Sequence, residues 1–498
     1  MNRPILYVAL VPALLITGCT AEPSRVPQSA ATVPATGPAA ASPTPAEDAY
    51  AAWQAGRSTP VADPIYPKRG TDALDVLHYD LALDWSPSKR VLTGTATLQV
   101  RPTKDAESFS LDFEPYDIDS LTVDGASATG EVTKEKLTVA TPVTADKPFT
   151  LVVAYHGKPK TVPMPSKRGD THPLGLTVDK DGGLWTMQEP YGALTWYPAN
   201  DQPSDEALYD IAVTVPKGWS GIASGTPKGQ DGNTFRYQST DPVASYLTTL
   251  AVGKYKKVTA KGPHGLPLTY WYRPTDKRAL PVLKKSPKYL TWLEKKFGPY
   301  PFPSGGVVMV DSDSGMETQQ MVTLGSAVFS FGADQFELDV VHEYAHQWFG
   351  DAVTPTNWQD LWLNEGWAQY AQLVYEKETA HLTNADFDAW FRQADAALRK
   401  KYGPPGHPRP SEFAMSNVYI CGAAMLRQLQ STIGDKKFFA LAHAWAQDHR
   451  NTQQTRKSFT AFVNEQTGKD FTAFIDAWLD SRTTPPKSLK DRKGTNQT

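Results

Sequence analysis

His342 and His346 stand four residues apart, Glu343 directly follows the first of them, and eighteen residues separate His346 from Glu365. On a helix, positions four apart share a face, so the two imidazoles are placed to grip one ion. Glu343 reaches a water activated by that ion without binding the ion itself, which is the geometry of a general base. A catalytic zinc takes three protein ligands and keeps a fourth position open, which makes Glu365 the candidate third ligand. The predicted chemistry is metal-assisted hydrolysis.

Such side chains need elements to hold them. Apolar spacing at Phe336, Val340 and Val341 predicts a helix over residues 335–349, and Leu361-Trp362-Leu363-Asn364-Glu365-Gly366-Trp367-Ala368 reads as a second helix returning after a turn. Helical patterns recur over 422–433, 436–447, 457–465 and 471–479. Upstream the period changes to two: Tyr79, Leu81, Leu83 and Trp85, and later Phe149, Leu151, Val153 and Tyr155, alternate as half-buried strands, while Asp124-Gly125 marks a hairpin turn. The expected fold class is multidomain α+β. An all-β domain over 66–255 precedes a mainly helical catalytic domain over 256–482, with a polar tail over 483–498.

With 498 residues, 40% of them hydrophobic and 21% charged, the chain has apolar content for more than one core. A net charge of -3, with Lys and Arg scattered, gives no electrostatic case for nucleic-acid binding.

At the N-terminus Arg3 precedes an apolar run over residues 5–16, too short to span a bilayer as a stable helix, and Leu15-Ile16-Thr17-Gly18-Cys19 resembles a bacterial lipobox. Residues 1–18 read as a lipoprotein signal peptide, Cys19 as the lipidated residue, and residues 19–65, rich in Ala, Pro, Ser and Thr, as a disordered tether. The protein is expected to be exported and held outside the bacterial cell membrane by the lipid on Cys19; a plain secretory signal would release it instead. Cys421, the only other cysteine, then reads as a small buried side chain with no intrachain disulfide.

In its wider setting, His342-Glu343-Tyr344-Ala345-His346-Gln347-Trp348-Phe349-Gly350 followed by Asn364-Glu365-Gly366 resembles the M1 family of zinc aminopeptidases. The resemblance runs from about residue 66 to 481 and implies a saddle-shaped β domain packed on a thermolysin-like catalytic domain, with one Zn2+ on His342, His346 and Glu365. Ser314-Gly315-Met316-Glu317-Thr318 resembles the family's Gly-Ala-Met-Glu-Asn segment, which implies substrate binding by Gly315, Met316 and Glu317, with Glu317 on the free α-ammonium. Glu189, in Thr186-Met187-Gln188-Glu189-Pro190, is implied to hold the same amine from the β domain, and Tyr419 to stabilise the oxyanion. Ser314, Thr318, Met187 and Cys421 depart from the family pattern. Asp360 is expected as a partner for a metal-bound imidazole, and Asp313 beside the first side-chain pocket.

The implied function is zinc-dependent removal of the N-terminal residue from peptides with a free N-terminus. Alternatives on the same core are a zinc endopeptidase, an epoxide hydrolase, or a surface lipoprotein that only binds. Glu189 and Glu317 oppose the endopeptidase, and Glu343 with Tyr419 opposes the pure binder. Many relatives carry further C-terminal domains that close over the cleft, so a comparatively open cleft is expected here.

Overall fold

The computed structural model describes residues 51–168 and 173–487. The expected signal peptide, Cys19, and much of the tether and tail lie outside these residues.

The N-terminal domain is sheet-rich. Its eight-stranded sheet is centred on Leu74–Ser86, paired antiparallel with Val91–Pro102 on one side and parallel with Glu206–Thr214 on the other. Tyr79, Leu81, Leu83 and Trp85 are buried while Asp80, Ala82 and Asp84 face solvent, the alternation that a pleated sheet with one covered face imposes. The hairpin turn falls where Asp124-Gly125 predicts it, with φ of 49° and 78° between the paired residues Val123 and Ala126. A four-stranded sheet contains Leu184–Met187, buried at every position, and Glu189 follows two residues after this strand, while Gln188 ties back into the β domain through Ser245, Thr248 and Trp196.

Residues 51–65, assigned to the tether from composition, are instead packed. Ala51–Gly56 forms a 3-10 helix; Ser58 donates from its N–H and hydroxyl to Asp75 at 3.0 and 2.7 Å. Buried Asp63 accepts from Ile65, Tyr66 and, across the domain junction, the Trp358 N–H at 2.7 Å. Composition missed this segment because its order comes from distant hydrogen-bond partners rather than from a local apolar pattern.

The catalytic domain opens with a five-stranded sheet, in the order Lys256–Lys261, Pro267–Tyr272, Gly305–Val310, Val322–Gly325 and Gly315–Met316. The three strands between residues 305 and 325 lie in a stretch of the mainly helical domain for which the sequence pattern marked no strand. Gly305–Val310 is buried at every residue, and a short continuous apolar run carries no period to distinguish strand from helix. The helices follow: α1 (Leu280–Leu283) and α2 (Ser286–Phe297) between strands, then α3 (Ala333–His346), α4 (Trp362–Thr379), α5 (Asn384–Tyr402), α6 (Ser416–Ile433), α7 (Asp435–Asp448), α8 (Arg456–Thr467) and α9 (Thr472–Asp480). None of the described helices is long and apolar enough to cross a membrane.

Two glycines let α4 and α6 cross at near backbone contact. A Cβ on Gly366 would lie 3.0 Å from the Cα of Gly422, and one on Gly422 would lie 2.9 Å from the Cα of Gly366. This crossing brings Glu365, one residue before the first glycine, beside Tyr419, one turn before the second. The domains are also joined by Thr354 Oγ1 donating to Glu206 at 2.8 Å and Gln453 Nε2 donating to the Ser204 carbonyl at 2.6 Å.

Candidate active site

His342 and His346 emerge from the last two turns of α3, and Glu365 from the first turn of α4, all three wholly buried. The two Nε2 atoms are 3.1 Å apart, and each lies 3.4 Å from Glu365 Oε2. Tetrahedral coordination with bonds of about 2.0–2.1 Å gives ligand spacings of about 3.3 Å, so this triangle has the size of one face of a zinc site. The ring nitrogens on the far side settle the tautomers. His342 Nδ1 donates to Gln372 Oε1 at 3.0 Å, and His346 Nδ1 donates to the Phe349 carbonyl at 3.1 Å. Both Nε2 atoms therefore present lone pairs, to one another and to a carboxylate. Burial pushes both imidazoles down, His346 to about 3, so neither relieves the contact by gaining a proton. Three converging buried lone-pair donors fit a divalent cation, and the donor set suits zinc.

The partners of the imidazoles correct one expectation. Asp360 accepts from the Arg456 N–H at 2.9 Å and from Trp362 Nε1 at 3.1 Å, and orients neither histidine. Gln372 fills that place. It lies seven residues after Glu365, two turns along the same face of α4, which is the sequence signal that identifies it.

Glu343 is wholly buried, and one of its carboxylate oxygens lies within 4.8 Å of both His346 and Glu317 donor atoms. Tyr419 sits in the first turn of α6, where its ring stacks near His342 with centroids 6.2 Å apart; burial raises the Glu365 carboxyl, and the His342 imidazole and a hydrogen bond from the Tyr419 hydroxyl oppose that rise. Cys421 is buried as expected, and burial raises its thiol well above its ordinary value, so it is no nucleophile.

Gly315–Met316 forms the edge strand of the five-stranded sheet and carries Glu317 to 3.6 Å from His346 Nδ1. Neither Glu317 carboxylate oxygen accepts a hydrogen bond from another described residue, although the side chain is wholly buried. Burial, then the charges of Glu343 and Glu365, hold this carboxyl well above the usual range. Thr318, which replaces asparagine in the motif, turns its hydroxyl inward to the Met321 carbonyl and to Thr323 Oγ1, closing the turn that follows Glu317.

Glu189 reaches the junction as expected, but in company. Arg168 Nη1 donates to Glu189 Oε2 at 2.9 Å, and Arg168 Nη2 to the Glu189 carbonyl at 3.4 Å. The pair is nearly dry, with side-chain exposures of 5% and 0%. The segment before Arg168 is pinned to the catalytic domain by Ser166 Oγ on the Phe413 carbonyl and Lys167 N on the Ser411 carbonyl. Nothing in the local sequence marks Arg168, because its partner lies 21 residues further along the chain, past the end of the Leu184–Met187 strand. A cavity of about 430 Å³ between Lys296, Lys377, Arg427, Lys436, Phe387 and Phe439 contains none of these site residues.

A metal-ligating pair on one helix, a glutamate from the next helix and a sheet edge beside them define a zinc-peptidase centre. The Peptidase M1 N-terminal domain matches residues 76–247, and the Peptidase family M1 domain matches residues 282–478. The chain belongs to peptidase family M1. It is 28% identical over 333 residues to the aminopeptidase N of Streptomyces lividans, covering 61% of this chain and 38% of that protein. The chain thus spans about half the length, or less, of the first curated relatives it matches. The fold matches the crystal structure of the M1 zinc metallopeptidase from Deinococcus radiodurans with a TM-score of 0.74 and 27% identity, over 86% of this chain and 99% of that one. A mutant of that metallopeptidase has been solved with a Tyr-Ser-Ala substrate (TM-score 0.73, 27% identity, 86% of this chain and 99% of that one).

Proposed function

We propose that this protein is a zinc aminopeptidase that removes single residues from peptides with a free N-terminus. One observation carries this reading: a buried Glu317 carboxylate, without a hydrogen bond from another described residue, stands 3.6 Å from a metal-ligating imidazole. A substrate α-ammonium supplies the missing cation and donors together. Zinc, when bound, acidifies water and polarises the scissile carbonyl. Glu343 takes the proton from the attacking water and passes it to the leaving amine. Tyr419 donates its hydroxyl to the carbonyl oxygen as negative charge builds there. Gly315 and Met316, on a sheet edge, offer main-chain hydrogen bonds to an extended peptide. Glu317 fixes the amine so that the first peptide bond meets Glu343 and Tyr419, and Glu189, already charge-balanced by Arg168, borders the same end of the cleft.

The test is hydrolysis of aminoacyl fluorogenic amides beside their N-acetylated forms, with metal-replete and chelator-treated protein. Chelator-sensitive turnover of the free amines alone is expected. Cleavage of blocked peptides indicates an endopeptidase, and zinc binding without turnover indicates a binding protein.

For location, the proposal is an exported lipoprotein anchored to the cell membrane through Cys19, supported by the Leu15-Ile16-Thr17-Gly18-Cys19 segment. Cys19→Ala is expected to move the protein from the membrane to the soluble fraction; unchanged membrane association refutes the anchor.

A further inference from the structure

Gln347 directly follows the second metal-ligating histidine, is wholly buried, and uses all the hydrogen-bonding capacity of its amide. Nε2 donates to the main-chain carbonyl of Glu317 at 2.8 Å and to Asp351 Oδ2 at 2.6 Å. Oε1 accepts from the Gln320 N–H at 3.0 Å and from the Tyr300 hydroxyl at 3.0 Å. Two of these bonds grip the two ends of one short turn, residues 317–320. Gln320 holds a φ of 65° there, a left-handed conformation that is unfavourable for a non-glycine residue and persists when its neighbours fix it. The remaining ties of the turn run elsewhere: Thr318 and Met321 bond within it, Gln319 donates from its N–H and Nε2 to the Leu247 and Pro242 carbonyls, and Gln320 Nε2 donates to Thr226 Oγ1 and Ser304 Oγ, none of them on the helix that bears the histidines.

We infer that Gln347 is a positioning residue that sets the cleavage register. Through one side chain it fixes the turn carrying Glu317 to the helix carrying His342 and His346. It thereby fixes the distance from the α-ammonium anchor to the metal ligands. An extended peptide advances about 3.5 Å per residue, so that distance decides which peptide bond reaches the metal. The inference rests on the aminopeptidase reading above.

The experiment measures KM and kcat on an alanyl amide, zinc content, and the products released from tetra-alanine. The wild-type protein is run first: if it does not release single alanine, the aminopeptidase reading itself fails, whatever Gln347 does. Gln347→Met keeps length and volume but removes all four bonds. With zinc retained, it is expected to raise KM about tenfold, lower kcat less, and release dialanine beside alanine. Wild-type KM with alanine as the sole first product overturns the inference.

Arg399→Met controls for general loosening, because Arg399, paired with Asp395 on its own helix, ties α5 to α9 through the Trp478 carbonyl, far along the chain from the turn. Dialanine release by that variant as well also overturns the inference. If Gln347→Met does not fold, Tyr300→Phe removes one of the four bonds and decides: KM is expected to rise about two- to threefold with kcat unchanged, and an unchanged KM refutes the assignment.

Discussion

The two carboxylates implied in amine recognition come from different domains and are held in opposite ways. Glu189, from the β domain, is already paired with Arg168 in a dry contact. Glu317, from the catalytic domain, is equally buried but accepts no hydrogen bond from another described residue. A buried charge without a partner is costly, so it persists where a ligand supplies one. The lesson is that motif resemblance gave the two residues one role, whereas their surroundings divide it. On the proposed reading Glu317 is the principal anchor for the amine, whereas Glu189 meets it with Arg168 already at one carboxylate oxygen.

The largest expected effect tests the premise that both carboxylates serve one metal site. Glu365→Ala removes one of three ligands and should abolish zinc retention and lower kcat/KM by about a thousandfold or more, read by metal analysis and amide hydrolysis. Next, Glu317→Ala should cost about a hundredfold in kcat/KM and Glu189→Ala about tenfold. Equal losses would break the comparison.

Stability should run the other way. Arg168→Met strands a buried carboxylate and should destabilise the metal-loaded protein by about 3 kcal/mol in denaturant, whereas Glu317→Gln replaces a carboxyl that accepts no hydrogen bond from another described residue and should not destabilise it.

The smallest effect concerns how each carboxylate is tied back. The loop after Glu189 hangs from Asp201, which accepts from the Gly192 and Leu194 N–H groups at 2.9 and 3.2 Å, whereas the Glu317 turn hangs from the non-titrating amide of Gln347. Burial, then the nearby Asp112, raises Asp201 to about 6 from 3.8. Because the folded value lies above the unfolded one, its contribution is fully present below pH 3.8 and is lost as pH rises to about 6. Asp201→Asn should flatten that decline in denaturation series across this range.

The metal triad and the base were legible in the sequence because helical spacing translates directly into a shared face, and the structure places His342, His346 and Glu365 in one triangle. The α6–α9 helices were legible for the same reason, α7–α9 within about two residues at their ends, whereas α6 begins at Ser416, ahead of the expected start at 422. What spacing could not supply was contact between distant segments. Arg168 meets Glu189, Asp63 meets Trp358, and Gln372 rather than Asp360 meets His342. The strands between 305 and 325 escaped because a fully buried run has no polar face to set its period.

The crossing of α4 and α6 at Gly366 and Gly422 acts as a gauge block for catalysis. Its thickness is two bare Cα atoms, and it sets the gap between a metal ligand and the residue implied to meet the oxyanion. A single methyl group on either glycine is the smallest lateral change the genetic code allows, yet it lands on backbone that has no rotamer by which to yield. The distance from Glu365 to Tyr419 is therefore adjustable only by moving whole helices, so drift in this pair would be felt at the reaction centre before it was felt in the fold.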